Sequence, residues 1–389
     1  MAEVKDIQEY RKKKRKKEKK RTTIKIVVAV VAVALVVGFL ALYETIFGES
    51  ILLSLGLVEA PKGYPVAITG GTPKNVVAFN EDVALITDTE VMIYNEYGTL
   101  ALQSGHNSTN PCVRTNQNRG IIYDVGYYSY TLLNGTSLVL SGEHDNQIIS
   151  ANVASNGSYA LVSASSKYLT ELIVRTKNNT QIASWRSVNS YINAVAFSED
   201  CSRVAATGLY SEDGLAKTTL RILDLKNEQN PIVSDTEFSG SATIALTYLD
   251  NGNILLLCDD RAIITDQTGK TLFSYTYTGK LYYYNINRYG AFVVCEKKDE
   301  YTATMLYDAK NAGASTKVSK QFKTAEHNAN WVYILEDDIL KIYDHDFNLV
   351  EEQKDLTDAI GIACGKEQTF LLSFSQIAQI EQGEQNETR

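Results

Sequence analysis

The chain is poor in several residues on which chemistry or covalent stapling depends. Its 389 residues include 4 histidines, 5 cysteines, 5 prolines, 3 methionines and 2 tryptophans. The histidines, His106, His144, His327 and His345, are too few for most metal or general-base constellations unless the fold brings them together. Cys112, Cys201, Cys258, Cys295 and Cys364 show no Cys-x-x-Cys spacing, and an odd number cannot pair completely within one chain. No Gly-x-Ser-x-Gly elbow and no His-Glu-x-x-His segment occurs. Gly269-Lys270-Thr271 ends like a phosphate loop, but Ile264 stands where its first glycine belongs. Asp344, Asp346 and Asn348 have the ligand spacing of a calcium loop, yet Leu349 replaces the bend-making glycine and Asp355 the bidentate glutamate. The sequence therefore assigns no catalytic, cofactor-binding or metal-ligating residue.

Charge is distributed unevenly. The net charge of −8 hides twelve Lys or Arg against four Asp or Glu in residues 1–25, which leaves the remainder strongly acidic and unsuited to nucleic acid. Directly after this block, Ile26 to Tyr43 contains no charged residue and has no polar face, close to the ~20 residues that cross a bilayer as a helix. Cationic residues favour the cytoplasmic side, so the expected topology is a cytoplasmic tail over 1–25, a transmembrane helix over 26–43 and an extracytoplasmic remainder at the cell membrane. No small-x-small cleavage site closes the apolar run, which reads as an uncleaved anchor contacting the lipid bilayer. Residues 44–63 are expected to form a juxtamembrane spacer, with an amphipathic surface helix as the alternative.

Beyond Tyr64, short runs rich in Val, Ile, Leu, Tyr and Thr alternate with turns of Asn, Asp, Gly and Ser, an all-β signature. One turn recurs with a capping residue followed three positions later by a residue suited to left-handed backbone. Its members are Asn95/Gly98, Thr176/Asn179, Asp224/Asn227, Asp266/Gly269 and Asp308/Asn311, with variants at Asn134-Gly135 and Asp344 to Asn348. These turns are spaced by 36 to 48 residues, which brackets the ~40–45 residue period of four-stranded propeller blades. A second family lies between them: Glu81-Asp82, Asn118 to Gly120, Asn156-Gly157, Glu199-Asp200, Asn251-Gly252, Tyr289-Gly290, Asn328-Ala329 and Lys366-Glu367. Eight of the second kind against seven of the first leave the last unit one strand short, and the strand Pro65 to Ile68 is predicted to complete it against Ile377 to Ile380. The expected fold is all-β, an eight-bladed propeller over 64–381, with seven blades as the alternative and a polar tail over 382–389.

The strings Gly63-Tyr64-Pro65-Val66-Ala67-Ile68-Thr69-Gly70, Asn118-Arg119-Gly120-Ile121-Ile122-Tyr123, Ala154-Ser155-Asn156-Gly157-Ser158-Tyr159-Ala160-Leu161-Val162 and Tyr248-Leu249-Asp250-Asn251-Gly252-Asn253 resemble those of an uncharacterised family of membrane-anchored β-propeller proteins from Gram-positive bacteria. The resemblance implies one N-terminal anchor and a propeller related to the WD40 and quinoprotein-like superfamily, with no activity assigned. Quinone-dependent propeller enzymes use repeated tryptophan docking motifs, whereas only Trp185 and Trp331 occur here.

A closed propeller presents the loops between the second and third strands of each blade together with the connections between blades. On that face the sequence places Tyr127, Tyr128, Tyr168, Trp185, Arg186, Tyr191, Tyr210, Tyr282 to Tyr284 and Tyr301. Tyrosines anchor partners well because one edge is polar and the ring is broad. The candidate ligand-binding set is Tyr127, Tyr128, Tyr168, Tyr210, Glu212, Asp213 and Tyr301, with Leu209 to Thr219 as its longest loop. The expected role is a protein- or glycan-binding scaffold at the cell envelope. The alternative is an envelope-directed hydrolase or lyase using carboxylates such as Asp124, Asp213 and Glu300.

Overall fold

A computed structural model describes residues 63–106, 111–227, 231–307, 313–365 and 368–380. The expected anchor, the spacer as far as Lys62 and the C-terminal tail lie outside these residues, as do the Asp308/Asn311 and Lys366-Glu367 turns. Among the described residues no helix is long and apolar enough to cross a membrane.

The turn chemistry operates as the spacing predicts. The Asn95 carboxamide oxygen accepts the amides of Tyr97 and Thr99 at 3.1 and 2.9 Å, while Gly98 takes φ of +73°. Asp266 accepts from Thr268 and Lys270 at 2.8 and 3.0 Å ahead of Gly269 at +84°. Asp344 accepts from Asp346 and Asn348 at 3.0 and 2.8 Å, although here Phe347 takes the left-handed conformation, at +57°. Each turn returns the chain into an antiparallel neighbour, and the described residues form eight four-stranded sheets.

Seven sheets are consecutive in sequence, covering residues 73–105, 111–143, 148–187, 191–239, 243–276, 280–318 and 322–353, here blades 1 to 7. Blade 8 holds three strands from residues 359–380 and takes its fourth from Val66–Ala67. Val66 pairs with Ile377 and Ala67 with Gln376, and the Ile68 amide donates to Ser375 O at 2.8 Å. Eight blades, closed by the strand before blade 1, is the outcome; seven is excluded. Tyr64 reinforces the closure by packing on Phe370, with ring centroids 5.0 Å apart, and by donating its hydroxyl to Asn95 O at 3.0 Å.

The first strands of successive blades touch one another around a complete circuit, from blade 1 through blade 8 and back. They therefore line the axis. The second strands are buried on both faces, as Val83, Ala84, Leu85 and Ile86 illustrate at 0–1% exposure. Successive residues of a strand point to opposite faces, so Leu85 enters the core shared with blade 8 while Ile86 enters the core shared with blade 2. Every junction between neighbouring blades has such a core. Each fully buried Leu or Ile contributes roughly 1.5–3 kcal/mol.

Candidate functional site

Because each blade alternates strand direction, the structure has two distinct ends. One carries the turns between first and second strands and between third and fourth. The other, the loop end, carries the loops between second and third strands and the connections between blades.

Blade 2 supplies Tyr127 and Tyr128 to the loop end, in the turn between Arg119–Asp124 and Ser129–Asn134. Their backbone is tied down: Tyr127 O accepts the Ile148 amide at 2.7 Å and Tyr128 O accepts the His144 amide at 2.8 Å. Their side chains nonetheless remain 47% and 45% exposed. Rigid backbone beneath open aromatic rings lowers the ordering cost of binding.

The other candidate residues are more engaged. Tyr168 lies in the loop of blade 3 with the Arg186 guanidinium 5.9 Å from its ring centroid, and Arg186 donates to Glu171 at 2.7 Å. Tyr210 and Glu212 belong to a network: the Tyr210 hydroxyl donates to Glu237, and the Lys217 ammonium pairs with both Glu212 and Glu237. The bond to Glu237 raises the Tyr210 phenol above its ordinary pKa, while Tyr210 and Lys217 hold the Glu237 carboxyl below its own. Tyr301 packs edge-on against Tyr282 at 4.9 Å and is half-buried, leaving Tyr282 as the exposed ring.

Two placements depart from the sequence reading. Leu209 to Thr219 is no open loop, since strands Arg203–Glu212 and Leu215–Asp224 continue through it and leave only Asp213-Gly214 as the turn. Both turn residues have positive φ, +52° and +75°, the Asp-Gly pair of a two-residue hairpin whose twist matches its strands. Trp185 does not reach the face either; it is 7% exposed in the core between blades 3 and 4, with the Arg221 guanidinium 4.5 Å from its ring. Gly208 makes room for it, because a Cβ there would meet Ser190 Oγ at 2.7 Å and Trp185 Cη2 at 3.0 Å.

The sequence reading omitted several exposed apolar residues at the same end: Val125, Leu169, Val188, Leu215 and Phe374. Val188 is the most open at 70%, displayed on a connection whose Ser187 hydroxyl accepts the Ser190 amide at 3.0 Å. An apolar residue inside a polar turn was the available signal. Together with Tyr127, Tyr128 and Tyr191, all of these except Phe374, which belongs to blade 8, make blades 2 to 4 the main apolar sector of the loop end. The loops of blades 5 to 7 instead carry Asp259-Asp260, Lys298-Asp299 and Asp337-Asp338.

The carboxylates considered for catalysis are not brought together. Asp124 is buried in blade 2, Asp213 tips the hairpin of blade 4, and Glu300 of blade 6 pairs with Lys317 at 3.2 Å, so no two come from neighbouring blades. Among the described residues no group of three His, Cys, Asp or Glu could hold a metal ion.

The inner wall holds the remaining unusual electrostatics. Neighbouring first strands are clamped by asparagines: Asn152 to Val195 O at 2.8 Å, Asn193 to Thr243 O at 2.6 Å and Asn287 to His327 O at 2.8 Å. Asn285 instead donates to the Glu326 carboxylate at 2.8 Å. Burial pushes Glu326 up to about 8, against the opposing pull of Asn285 and the His327 amide. By surface area Glu326 is half-buried, on the first strand of blade 7, where the loss of solvation outweighs its two hydrogen bonds. Burial also pushes the neighbouring His327 imidazole down to about 3.

With this geometry in view, the comparisons are informative about family and fold. The model of a family of unknown function, DUF5711, matches residues 61–380. The chain belongs to that family. No curated protein sequence matches it. Among solved structures it is similar to BamB from Moraxella catarrhalis, at 10% identity and TM-score 0.52, over 82% of this chain and 100% of that one. The C-terminal WD40 domain of Sif2 gives 12% identity and TM-score 0.57 over 82% and 99%. Apo AztD from Citrobacter koseri gives 11% and 0.53 over 83% and 92%. At such identities the likeness establishes the β-propeller fold.

Proposed function

We propose that this DUF5711 protein is a membrane-anchored, extracytoplasmic protein-binding module that engages its partner through the loop end of blades 2 to 4. One observation carries the binding assignment. Of the large apolar side chains exposed on the described residues, eight lie on the outermost strands, and all eleven others lie at the loop end or on the inner strands. The turns of the opposite end carry none themselves, although the eight on the outermost strands all lie within the first three residues after such a turn. Exposed apolar area that serves no packing role marks interaction surfaces, and three tyrosines in one sector match the composition of interface anchors. The envelope location rests on the basic block of residues 1–25 followed by the apolar run of 26–43. Propeller folds recur in many functions, so the site and not the fold carries the assignment.

The test is recovery of partners from solubilised membranes and cell wall with the tagged full chain and with a Tyr127→Ser, Tyr128→Ser, Tyr191→Ser variant. Each truncation is expected to cost about 1 kcal/mol or more of binding, so the variant should lose a protein that the parent retains. Equal recovery by both, with unchanged thermal unfolding, would refute the assignment of this sector; loss of a glycan in place of a protein would replace the partner class. Digestion of the propeller by protease added to intact cells checks the topology, and protection would reverse it.

A further inference from the structure

Among the described residues the outermost strand of each blade is a sheet edge, and most of these edges are defended. Charges stand on those of blades 3, 4, 6 and 7, namely Arg186, Asp235 with Glu237, Lys317, and Glu351 with Glu352. The outer strand of blade 8 is two residues long. Charge and shortness both discourage pairing with another chain. Blade 1 has neither device, since Leu100–Gly105 reads Leu-Ala-Leu-Gln-Ser-Gly. Its neighbour in blade 2, Ser137–Glu143, has no charge before its last residue.

The backbone of the blade 1 edge is open to pairing. The His106 amide donates to Thr89 O at 2.8 Å, and hydrogen-bonded positions alternate along an antiparallel strand, so Ser104 and Leu102 also bond inward. Gln103 and Gly105 therefore turn their N–H and C=O away from the blade, where no further strand takes them. Beside this edge a crevice lies between Leu102, Ser104 and His106 of blade 1 and Ile122, Leu133 and Leu138 of blade 2, and no Asp, Glu, Lys or Arg lines it. The strand register explains the gap. Counted from the bulge that begins each outer strand, the places matching Ser104 hold Trp185 in blade 3 and Tyr275 in blade 5, whose rings pack toward the next blade. Blade 5 also has an uncharged outer strand, Thr271–Thr276, but its own tyrosine occupies the corresponding space.

We propose that the outer edge of blade 1 receives an extended, uncharged segment of the partner protein as a fifth strand. This attachment rests on the protein-binding reading above and gives that partner a second point of hold. Gln103 and Gly105 offer two donors and two acceptors, and every second side chain of the added strand falls on the face of Leu102 and Ser104, toward the crevice and Leu138. Apolar side chains suit that wall. A charged one would lose hydration there without gaining a counter-charge. The crevice also reaches Thr131, on the strand that leaves the Tyr127-Tyr128 turn, so a partner seated on the loop end of blade 2 meets the edge without crossing another blade.

The experiment follows amide hydrogen exchange, residue by residue, in the full chain with and without millimolar acetyl-Ser-Val-Thr-Val-Thr-Val-Ser-amide. In the free protein the Gln103 and Gly105 amides should exchange quickly and the Ser104 amide slowly. The peptide should slow Gln103 and Gly105, whereas a version N-methylated at its threonines, or one with lysine for its central valine, should not. Read at Gly105, the peptide concentration needed should rise about twofold to tenfold in Gln103→Pro, which removes one outward N–H and leaves the inner ladder whole. It should rise about tenfold or more in Leu138→Lys, which sets a charge on an exposed position of the crevice. Exchange unaffected by the peptide, equal protection by the N-methylated version, or indifference to Leu138→Lys would overturn the proposal. Protection that grows with protein concentration in the absence of peptide would assign the edge to a second copy and overturn it likewise. The loop-end assignment is read separately, because the Tyr127→Ser, Tyr128→Ser, Tyr191→Ser variant should keep the full peptide effect at Gly105. Unfolding transitions of the variants, measured alongside, show that the fold is intact.

Discussion

The two ends of this propeller spend their side chains differently. At the turn end the polar groups are consumed locally: Asn95, Asp266 and Asp344 cap their own turns, and Arg288 reaches from blade 6 to Glu199 of blade 4 and Asp250 of blade 5. At the loop end of blades 2 to 4 the backbone is fixed by carbonyls such as Tyr127 O and Tyr128 O, while the side chains above are apolar and open. One end holds the ring together, and the other, on the function proposed above, meets a partner. Substitution at the turn end should therefore cost stability and leave binding intact, with the opposite pattern on the surface of the loop end.

The largest effect expected concerns ring closure, which begins at the turn end. A chain lacking residues 1–70 loses the Val66–Ala67 strand and the Tyr64 contacts, whereas one lacking 1–60 keeps them. The first should unfold at markedly lower denaturant concentration, and equal midpoints would show that closure contributes nothing.

Next in size is an intrusion below the loop end. Gly208→Ala would press a methyl group onto Ser190 and Trp185, at about 1–3 kcal/mol by urea denaturation. The inner wall, which belongs to neither end, should be recognised by its pH dependence. The folded-state pKa of Glu326 lies above its ordinary 4.5, so its contribution is complete below 4.5 and is lost as pH rises to about 8. Glu326→Gln should therefore gain stability relative to the parent above that pH, on the order of 1–2 kcal/mol after discounting for residual solvation. His327 has the opposite dependence: its folded-state pKa lies below 6.5, so stability is lost as pH falls from there toward about 3. His327→Gln should flatten the acid limb of the stability profile.

Smaller again is the loss of a turn cap. Asp266→Ala or Asp344→Ala removes an acceptor used by two amides and should cost about 1 kcal/mol each without affecting partner recovery. The smallest stability effect belongs to the exposed apolar residues. Val188→Ser and Leu215→Ser should change unfolding free energy by no more than about 0.5 kcal/mol and yet weaken partner capture. A stability loss as large as that of the turn caps would mean that these side chains serve packing.

Much of the architecture was legible because it is written in short-range chemistry. The Asn95/Gly98 and Asp266/Gly269 turns are local, their spacing counts blades, and the missing eighth turn identifies the closing strand. The candidate site was less legible, because exposure depends on partners distant in sequence. Tyr210 meets Glu237, 27 residues on, and Tyr168 meets Arg186 from an outer strand; neither contact can be found without the strand register. Val188 and Leu215 were missed for the converse reason, since single apolar residues in short turns resemble strand ends until the fold shows them facing solvent. Glu326 and Asn285, 41 residues apart, meet only because blades 6 and 7 share the axis.

The central claim, that recognition belongs to the loop end of blades 2 to 4, is tested most directly by photo-crosslinking in living cells. A benzophenone amino acid placed singly at Tyr127, Val188 or Leu215 is compared with the same probe at Asn178 or Asp346 of the turn end. The account predicts a discrete protein adduct from the first three positions and none from the last two; adducts confined to Asn178 and Asp346 would contradict it.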